Sequence, residues 1–249
     1  MTMRLKDLII LCALMVIMTA APLQAATPEE SFKKSFPNYP LESIKPTAVP
    51  GVYEIIVHGK IGYYAPGPEY IFTGSIMTAD GRNLTQERTA EIQKKKFSSL
   101  PLDKALKIGS GPNTVIEITD PDCSFCRKAA TFFAERKDVT RYIFFYTIAS
   151  ANPNSEAKIR QIFCANPKDR PKAYEAAMAG KLDDMKFTPC KSDEADKLFN
   201  LHKETGDRIG AVGLGTPLFL INGQFVRGLD IPLIEKILSE KKEGKEVKK

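Results

Sequence analysis

Two cysteines separated by two residues, Cys123 and Cys126, are the side chains in this sequence best suited to chemistry. A thiolate at one of them can attack a disulfide bond, and the second is near enough to form a disulfide with the first. A purely structural disulfide and half of a metal site are the alternatives. Zinc would need further ligands, and the two histidines, His58 and His202, have no other ligand near them in the sequence. The pair therefore predicts redox chemistry without a metal or another cofactor.

The residues around the two cysteines predict a buried strand that runs into a helix. The β-branched run at 114–119 is typical of a core strand. Asp-Pro-Asp at 120–122 ends that strand and supplies side chains that can cap a helix, which we expect to continue through 127–135. This order places Cys123 at a helix N-terminus, where free N–H groups and the helix dipole lower a thiol pKa. Cys126, one turn further in, is then the thiol that would resolve a mixed disulfide.

The first 25 residues have the pattern of a secretory signal peptide. Arg4 and Lys6 precede an apolar segment at 8–18, and small residues follow it up to a predicted cleavage site after Ala25. An uncleaved membrane anchor is the alternative, but the apolar segment is short for a membrane span. We therefore predict that residues 1–25 are a signal peptide and that the chain is exported.

Cleavage after residue 25 would leave four cysteines in an exported chain, where oxidising conditions favour disulfides. Because Cys123 and Cys126 naturally form one pair, Cys164 and Cys190 remain for the other. Neither of these two has a neighbouring cysteine or a helix-start environment. We predict that they form a structural disulfide, worth roughly 3.5 kcal/mol in the chain-entropy account.

Length and composition are those of a globular protein with one large domain or two modest ones. The chain has 249 residues, of which 43% are hydrophobic and 27% charged. The net charge of +6 is not accompanied by a basic motif interleaved with aromatic residues. The lysine-rich stretches are therefore interpreted as solvated surface, and no nucleic acid is predicted as a partner.

Residues 26–82 are predicted to be a small N-terminal domain rich in β-structure. A helix begins after Thr27, a proline-rich loop follows, and three strands are expected at 52–57, 61–64 and 70–76. A meander of three short strands is too thin to bury both faces of its sheet. This unit is therefore predicted to dimerise.

A polar helix at 85–96 dominates residues 83–105, which are interpreted as a mostly solvated linker between two domains. Residues 106–249 are predicted to form the second domain. After the cysteine pair we expect a strand, a helical stretch, a hairpin centred on Asn-Gly and a final helix, at 140–148, 155–202, 222–223 and 231–241. The predicted fold class is α+β or α/β, with helices on both faces of the second sheet.

Three local sequences together resemble the DsbC/DsbG family of periplasmic disulfide isomerases, whose catalytic domain has the thioredoxin fold. They are Thr-Asp-Pro-Asp-Cys-Ser-Phe-Cys at 119–126, the second cysteine pair, and Gly-Thr-Pro at 215–217. The resemblance covers the whole mature chain. It implies a cystatin-like dimerisation domain, a linker helix, and a thioredoxin-like domain with a helical insertion between Cys126 and Pro217.

The resemblance also implies roles for particular residues. Thr216 would precede a cis-proline, Pro217, that packs against the cysteine pair; an ordinary trans-proline at the start of a strand is the alternative. Glu117 matches a buried acid that relays the proton of the second cysteine in thioredoxin-like proteins. A glutamate that faces solvent, or pairs with a nearby lysine, is the other interpretation. Ser124 and Phe125 depart from the Gly-Tyr or Pro-Tyr associated with the family, and this dipeptide tunes the reduction potential.

The function implied is thiol:disulfide interchange in the periplasm, isomerising or reducing non-native disulfides of exported proteins. A homodimer kept reduced by a membrane electron donor of the DsbD type is expected. A DsbG-like reductase of oxidised cysteines and a dithiol oxidase are alternatives that use the same residues. A chaperone that binds unfolded chains is the alternative without catalysis.

Overall fold

The computed structural model describes residues 26–148, 152, 154–184, 190 and 192–246, and the predicted signal peptide lies outside them. The helices are α1 (Pro28–Ser35), α2 (Leu84–Ser98), α3 (Ser124–Ala134), α4 (Ser155–Cys164), α5 (Arg170–Met178), α6 (Asp193–Ile209), α7 (Ala211–Leu214) and α8 (Ile231–Glu246). The strands are β1 (Leu41–Pro46), β2 (Tyr53–Val57), β3 (Lys60–Ala65), β4 (Tyr70–Phe72), β5 (Leu106–Ile108), β6 (Asn113–Thr119), β7 (Val139–Phe145), β8 (Leu218–Ile221) and β9 (Gln224–Arg227). Over these ranges, no helix combines the length and apolar character needed to cross a bilayer.

The first sheet is an antiparallel meander in the order β1-β2-β3-β4, with α1 packed against it. Helix α1 begins at a capping box, in which the Thr27 hydroxyl accepts the Glu30 N–H and the Glu30 carboxylate accepts the Thr27 N–H. The helix contributes Phe32, whose ring meets that of Tyr64 edge to face at 5.2 Å. A single buried cluster between one helix and one sheet face therefore holds this part of the chain together.

Strand β1 lies in the region that the sequence analysis interpreted as a loop, so that prediction was wrong. The prolines suggested a loop, but β1 is an edge strand that pairs only with β2, and Pro46 is its last residue. An edge strand tolerates proline because one side of it needs no N–H donor. The strand predicted at 70–76 ends earlier, at Phe72.

The second sheet has the order β5-β7-β6-β8-β9, with β6 at its centre. Strand β6 runs parallel to β7 and antiparallel to β8. The predicted hairpin is confirmed: Asn222 and Gly223, with φ of 49° and 86°, connect β8 to β9. Strand β5 was not predicted, because three residues at a sheet edge are too short to show a pattern.

Helices cover both faces of the second sheet, which confirms the predicted mixed α and β architecture. Helices α3 and α8 pack on one face, while α6, α7 and the end of α2 contribute to the cluster on the other. Helix α2 is less solvated than expected, because Phe97 and Gln93 are buried and the Phe97 ring lies 6.0 Å from that of Phe225 in β9. Helix α2 is thus docked against the second sheet.

The predicted helical stretch at 155–202 is divided into α4, α5 and the first part of α6. A disulfide joins Cys164, at the end of α4, to Cys190, shortly before α6, with the two Cα atoms 6.4 Å apart. These helices cover one edge of the sheet beside α3.

His202 is buried on α6, and both of its ring nitrogens are engaged by backbone groups. Nδ1 accepts the Phe145 N–H at 3.0 Å, and Nε2 lies 3.0 Å from the Lys104 carbonyl, to which it donates. Burial lowers the pKa of His202 to about 4. The native protein therefore keeps this imidazole neutral at pH values where the unfolded chain already binds a proton.

We expect His202 to make the free energy of unfolding fall by about 2 kcal/mol between pH 7 and pH 4.5, because the unfolded state gains the proton first. Its contribution is complete above the unfolded pKa near 6.5 and is lost as the pH falls toward the folded pKa. Urea unfolding of wild type and His202→Gln at both pH values measures it. The variant should be less stable at pH 7, with the difference shrinking at pH 4.5. Parallel pH dependences in the two proteins would contradict this.

Candidate active site

The two cysteines lie where β6, the central strand, gives way to α3. Cys123 is the N-cap residue of α3 and is partly buried, whereas Cys126 lies in the first turn and is fully buried. The predicted cap is wrong in detail, because no side chain caps this helix. The Asp120 carboxylate instead accepts the Asp122 N–H at 2.9 Å and so holds the turn between strand and helix.

The environments of the two thiols drive their pKa values in opposite directions. A hydrogen bond from the Cys126 thiol, helped by the backbone N–H groups of Cys126 and Phe125, lowers the pKa of Cys123 to about 6. Burial, followed by the nearby Cys123 sulfur, raises the pKa of Cys126 far above its usual value. At neutral pH the first cysteine is therefore largely a thiolate, while the second keeps its proton.

Thr216, which together with Pro217 directly precedes β8, lies beside Cys123. Strands β6 and β8 are antiparallel, with Ile118 opposite Leu218, so the end of one strand lies beside the beginning of the other. The Thr216–Pro217 peptide bond is cis, and the Thr216 carbonyl oxygen lies 3.5 Å from the Cys123 Sγ. The structure thus brings together residues that are far apart in the sequence.

Glu117 is fully buried in β6, on the sheet face covered by α3. Its Oε2 accepts a hydrogen bond from Arg141 Nη2 at 2.6 Å, and the same nitrogen lies 2.6 Å from the Tyr174 hydroxyl oxygen. Oε1 receives no hydrogen bond from the residues that the structure describes. The alternative interpretation, a glutamate that faces solvent or pairs with a lysine, is therefore wrong: the carboxylate is buried and its partner is Arg141.

Arg141 was missed by the sequence analysis, although β7 contains a signal for it. Its side chain is 4% exposed in a strand that has no other charged residue, and the guanidinium lies 5.1 Å from the ring centroid of Phe133. A lone arginine in a buried strand needs an acidic partner, and Glu117 in the neighbouring strand was the available one.

The remaining predicted features are arranged as follows. Phe125, between the two cysteines, is 58% exposed, so the active-site turn presents an apolar ring to its surroundings. His58 lies in the turn between β2 and β3, while His202 is on the buried face of α6. In the described ranges, no three histidine, cysteine or acidic side chains converge closely enough to hold a metal ion.

Comparisons with known proteins show what this chain is similar to. Residues 19–86 match the family described as the disulfide bond isomerase protein N-terminal domain. A probable thiol:disulfide interchange protein DsbC of Bordetella avium is 31% identical over 137 residues, which are 54% of this chain and 48% of that protein. The match thus spans about half the length of the Bordetella relatives.

Two further relatives cover other shares of the chain. The thiol:disulfide interchange protein DsbC of Escherichia coli K12 is 26% identical over 196 residues, 76% of this chain and 77% of that protein. The crystal structure of a disulfide interchange protein from Neisseria gonorrhoeae is 29% identical, with a TM-score of 0.46. The match covers 57% of this chain and 97% of the Neisseria chain.

Proposed function

We propose that this chain is a thiol:disulfide interchange protein of the DsbC/DsbG family and that it isomerises or reduces non-native disulfides in exported proteins. The observation that carries the proposal is the asymmetry of the two thiols. Cys123 is partly exposed at a helix N-terminus with its pKa lowered to about 6, while Cys126 is buried and protonated. Such a pair suits a reaction that begins with attack by one thiolate and ends with resolution by the other.

The reaction begins when the Cys123 thiolate attacks one sulfur of a substrate disulfide. A new bond forms between Cys123 and that sulfur, and the other substrate sulfur leaves as a thiolate. In isomerisation, another substrate thiolate then attacks the mixed disulfide, forms a new substrate disulfide and releases Cys123 as a thiolate. In reduction, Cys126 loses its proton and displaces the substrate, so the substrate leaves reduced and Cys123 and Cys126 become a disulfide.

We assign supporting roles to Thr216, Pro217 and Glu117. The Thr216 backbone lies beside Cys123, where an extended substrate segment can pair with it as an added strand. Glu117, on the same face of the sheet as Cys126, is the buried acid that takes part in removing the Cys126 proton. The disulfide between Cys164 and Cys190 is structural and braces the helical insertion.

The organisation we propose has a signal peptide at 1–25, a cystatin-like dimerisation domain at 26–82, a linker helix at 83–105 and a thioredoxin-like catalytic domain at 106–249. The chain acts as a periplasmic homodimer. Support comes from the N-terminal family match and from the first sheet, in which β1 and β4 are edge strands, each paired with only one other strand of the described residues. A membrane electron donor of the DsbD type returns the cysteine pair to its reduced form.

Trapping of the mixed disulfide tests the proposal. In Cys126→Ser the resolving thiol is absent, so incubation with a scrambled disulfide protein should accumulate a covalent adduct through Cys123, visible on non-reducing gels and cleaved by dithiothreitol. The double variant Cys123→Ser/Cys126→Ser is the matched control and should form none. A variant that keeps Cys126 alone and still forms the adduct at the same rate would reverse the assigned roles.

A further inference from the structure

Asp122, the residue immediately before Cys123, is held between two cations from different helices. Its Oδ1 accepts a hydrogen bond from Arg127 Nη2, in α3, at 3.0 Å, and another from Lys158 Nζ, in α4. The Lys158 side chain is only 3% exposed, although a lysine normally keeps its ammonium group in water. The lysine is therefore buried specifically against this turn.

The same two cations bind a second acid, Asp183, which follows α5. Arg127 contacts both of its carboxylate oxygens at 2.7 Å, and Lys158 Nζ lies 2.5 Å from Oδ1. These hydrogen bonds, the one from Arg127 first, lower the pKa of Asp183. We call Asp122, Arg127, Lys158 and Asp183 the charge cluster.

Two further contacts tie the turn to the same region. Arg127 Nε donates to the Pro121 carbonyl at 2.5 Å. Asp120 is buried and accepts hydrogen bonds from Ser155 and, at 2.8 Å, from Asn152 Nδ2. The cations Arg127 and Lys158 therefore pair with Asp122 and Asp183, while Asp120, in the same turn as Asp122, is held by neutral donors.

The charges matter because Cys123 must be a thiolate to react. A carboxylate next to it in the chain would raise its pKa by like-charge repulsion, and the effect is strong where protein replaces water. Arg127 divides its hydrogen bonds among Asp122, Asp183 and Pro121. Lys158 is the buried cation that offsets the remaining charge of Asp122.

We propose that Lys158, on the helical insertion, is a positioning residue for the reaction at Cys123: it neutralises Asp122 and thereby keeps the neighbouring sulfur in its reactive, thiolate form. The inference deepens the proposed function and rests on Cys123 being the nucleophile. It gives the insertion a part in the chemistry, because its first helix supplies a charge that the active-site turn needs.

The test is the pKa of Cys123, measured from the pH dependence of thiolate absorbance and of alkylation rate in the reduced, full-length protein. Lys158→Met keeps the length of the side chain and removes its charge. It should raise the pKa by about one unit, a tenfold fall in the ratio of thiolate to thiol. Lys172→Met removes an exposed lysine of the same insertion and is the matched control, with no shift expected.

Two further variants separate charge from anchoring. Asp122→Asn/Lys158→Met removes both charges and should return the pKa to near the wild-type value, while Lys158→Arg should keep it there. An unchanged pKa in Lys158→Met, or a double variant as shifted as the single one, would overturn the proposal and leave the cluster a structural anchor. The pKa can be measured whether or not Cys123 traps substrates, so its outcome is independent of the adduct experiment.

Discussion

Cys123→Ser should reduce the reactivation of a scrambled disulfide protein to the uncatalysed rate. The serine hydroxyl has no sulfur with which to form a mixed disulfide, so neither isomerisation nor reduction can begin. The fall should be at least on the order of a thousandfold, because a nucleophile that forms a covalent intermediate is not replaced by the rest of its site. Recovery of activity in a glutathione buffer, followed over time, measures it.

The same variant distinguishes catalysis from chaperone activity. Phe125 remains exposed beside the substituted residue, so suppression of aggregation of a cysteine-free protein should persist in Cys123→Ser. Cys126→Ser is the matched substitution at the other thiol and should still form the mixed disulfide. If Cys123→Ser reactivates scrambled substrate as fast as wild type, the chain is not a thiol–disulfide enzyme of the kind proposed.

Arg141→Met should lower the free energy of unfolding by about 3–5 kcal/mol, the usual cost of removing one partner from a buried ion pair. Glu117 is fully buried, and Arg141 is the charged group that contacts it across the strands. Its loss leaves a carboxylate without compensation in the interior, and Tyr174 also loses the hydrogen bond at 2.6 Å. Urea unfolding at pH 7 measures the change.

Two comparisons show whether the unpaired charge is responsible. Glu117→Gln/Arg141→Met removes both charges and should recover most of the lost stability, since the desolvated carboxylate is gone. Arg82→Met breaks an exposed pair with Glu87 and should leave the free energy of unfolding almost unchanged, because solvent screens that pair. Equal losses in the double variant and in Arg141→Met would mean that packing of the arginine side chain, rather than its charge, stabilises this site.

The sequence predicted those elements whose signals are local. The β-branched run of β6, the Asn-Gly turn between β8 and β9, and the cysteine spacing each act within a few residues. The edge strands β1 and β5 were missed because one contains proline and the other has three residues. Their conformation is decided by the neighbouring strand, which a local pattern does not show.

The same distinction applies to the site. Cys123 and Cys126 can be recognised from their spacing in the sequence, whereas the partners of Glu117 and Asp122 cannot. Arg141 is 24 residues from Glu117, and Lys158 is 36 from Asp122, so only the fold reveals which charges meet. Asp122 was interpreted as a helix cap because aspartate is common at helix N-termini. Its actual partners, Arg127 and Lys158, are set by tertiary contacts.

The disulfide between Cys164 and Cys190 bears on the order in which this chain can oxidise. Four cysteines after residue 25 allow three pairings. The structure contains the bond between Cys164 and Cys190, and it leaves Cys123 and Cys126, which are neighbours in the cysteine order, as free thiols. A chain that emerges from its N-terminus can oxidise Cys123 with Cys126 before Cys164 appears. Cys190 is then the next thiol to emerge after Cys164, and it is the partner of Cys164. Closure of each thiol with the next one along the chain would therefore give the bond between Cys164 and Cys190 that the structure contains.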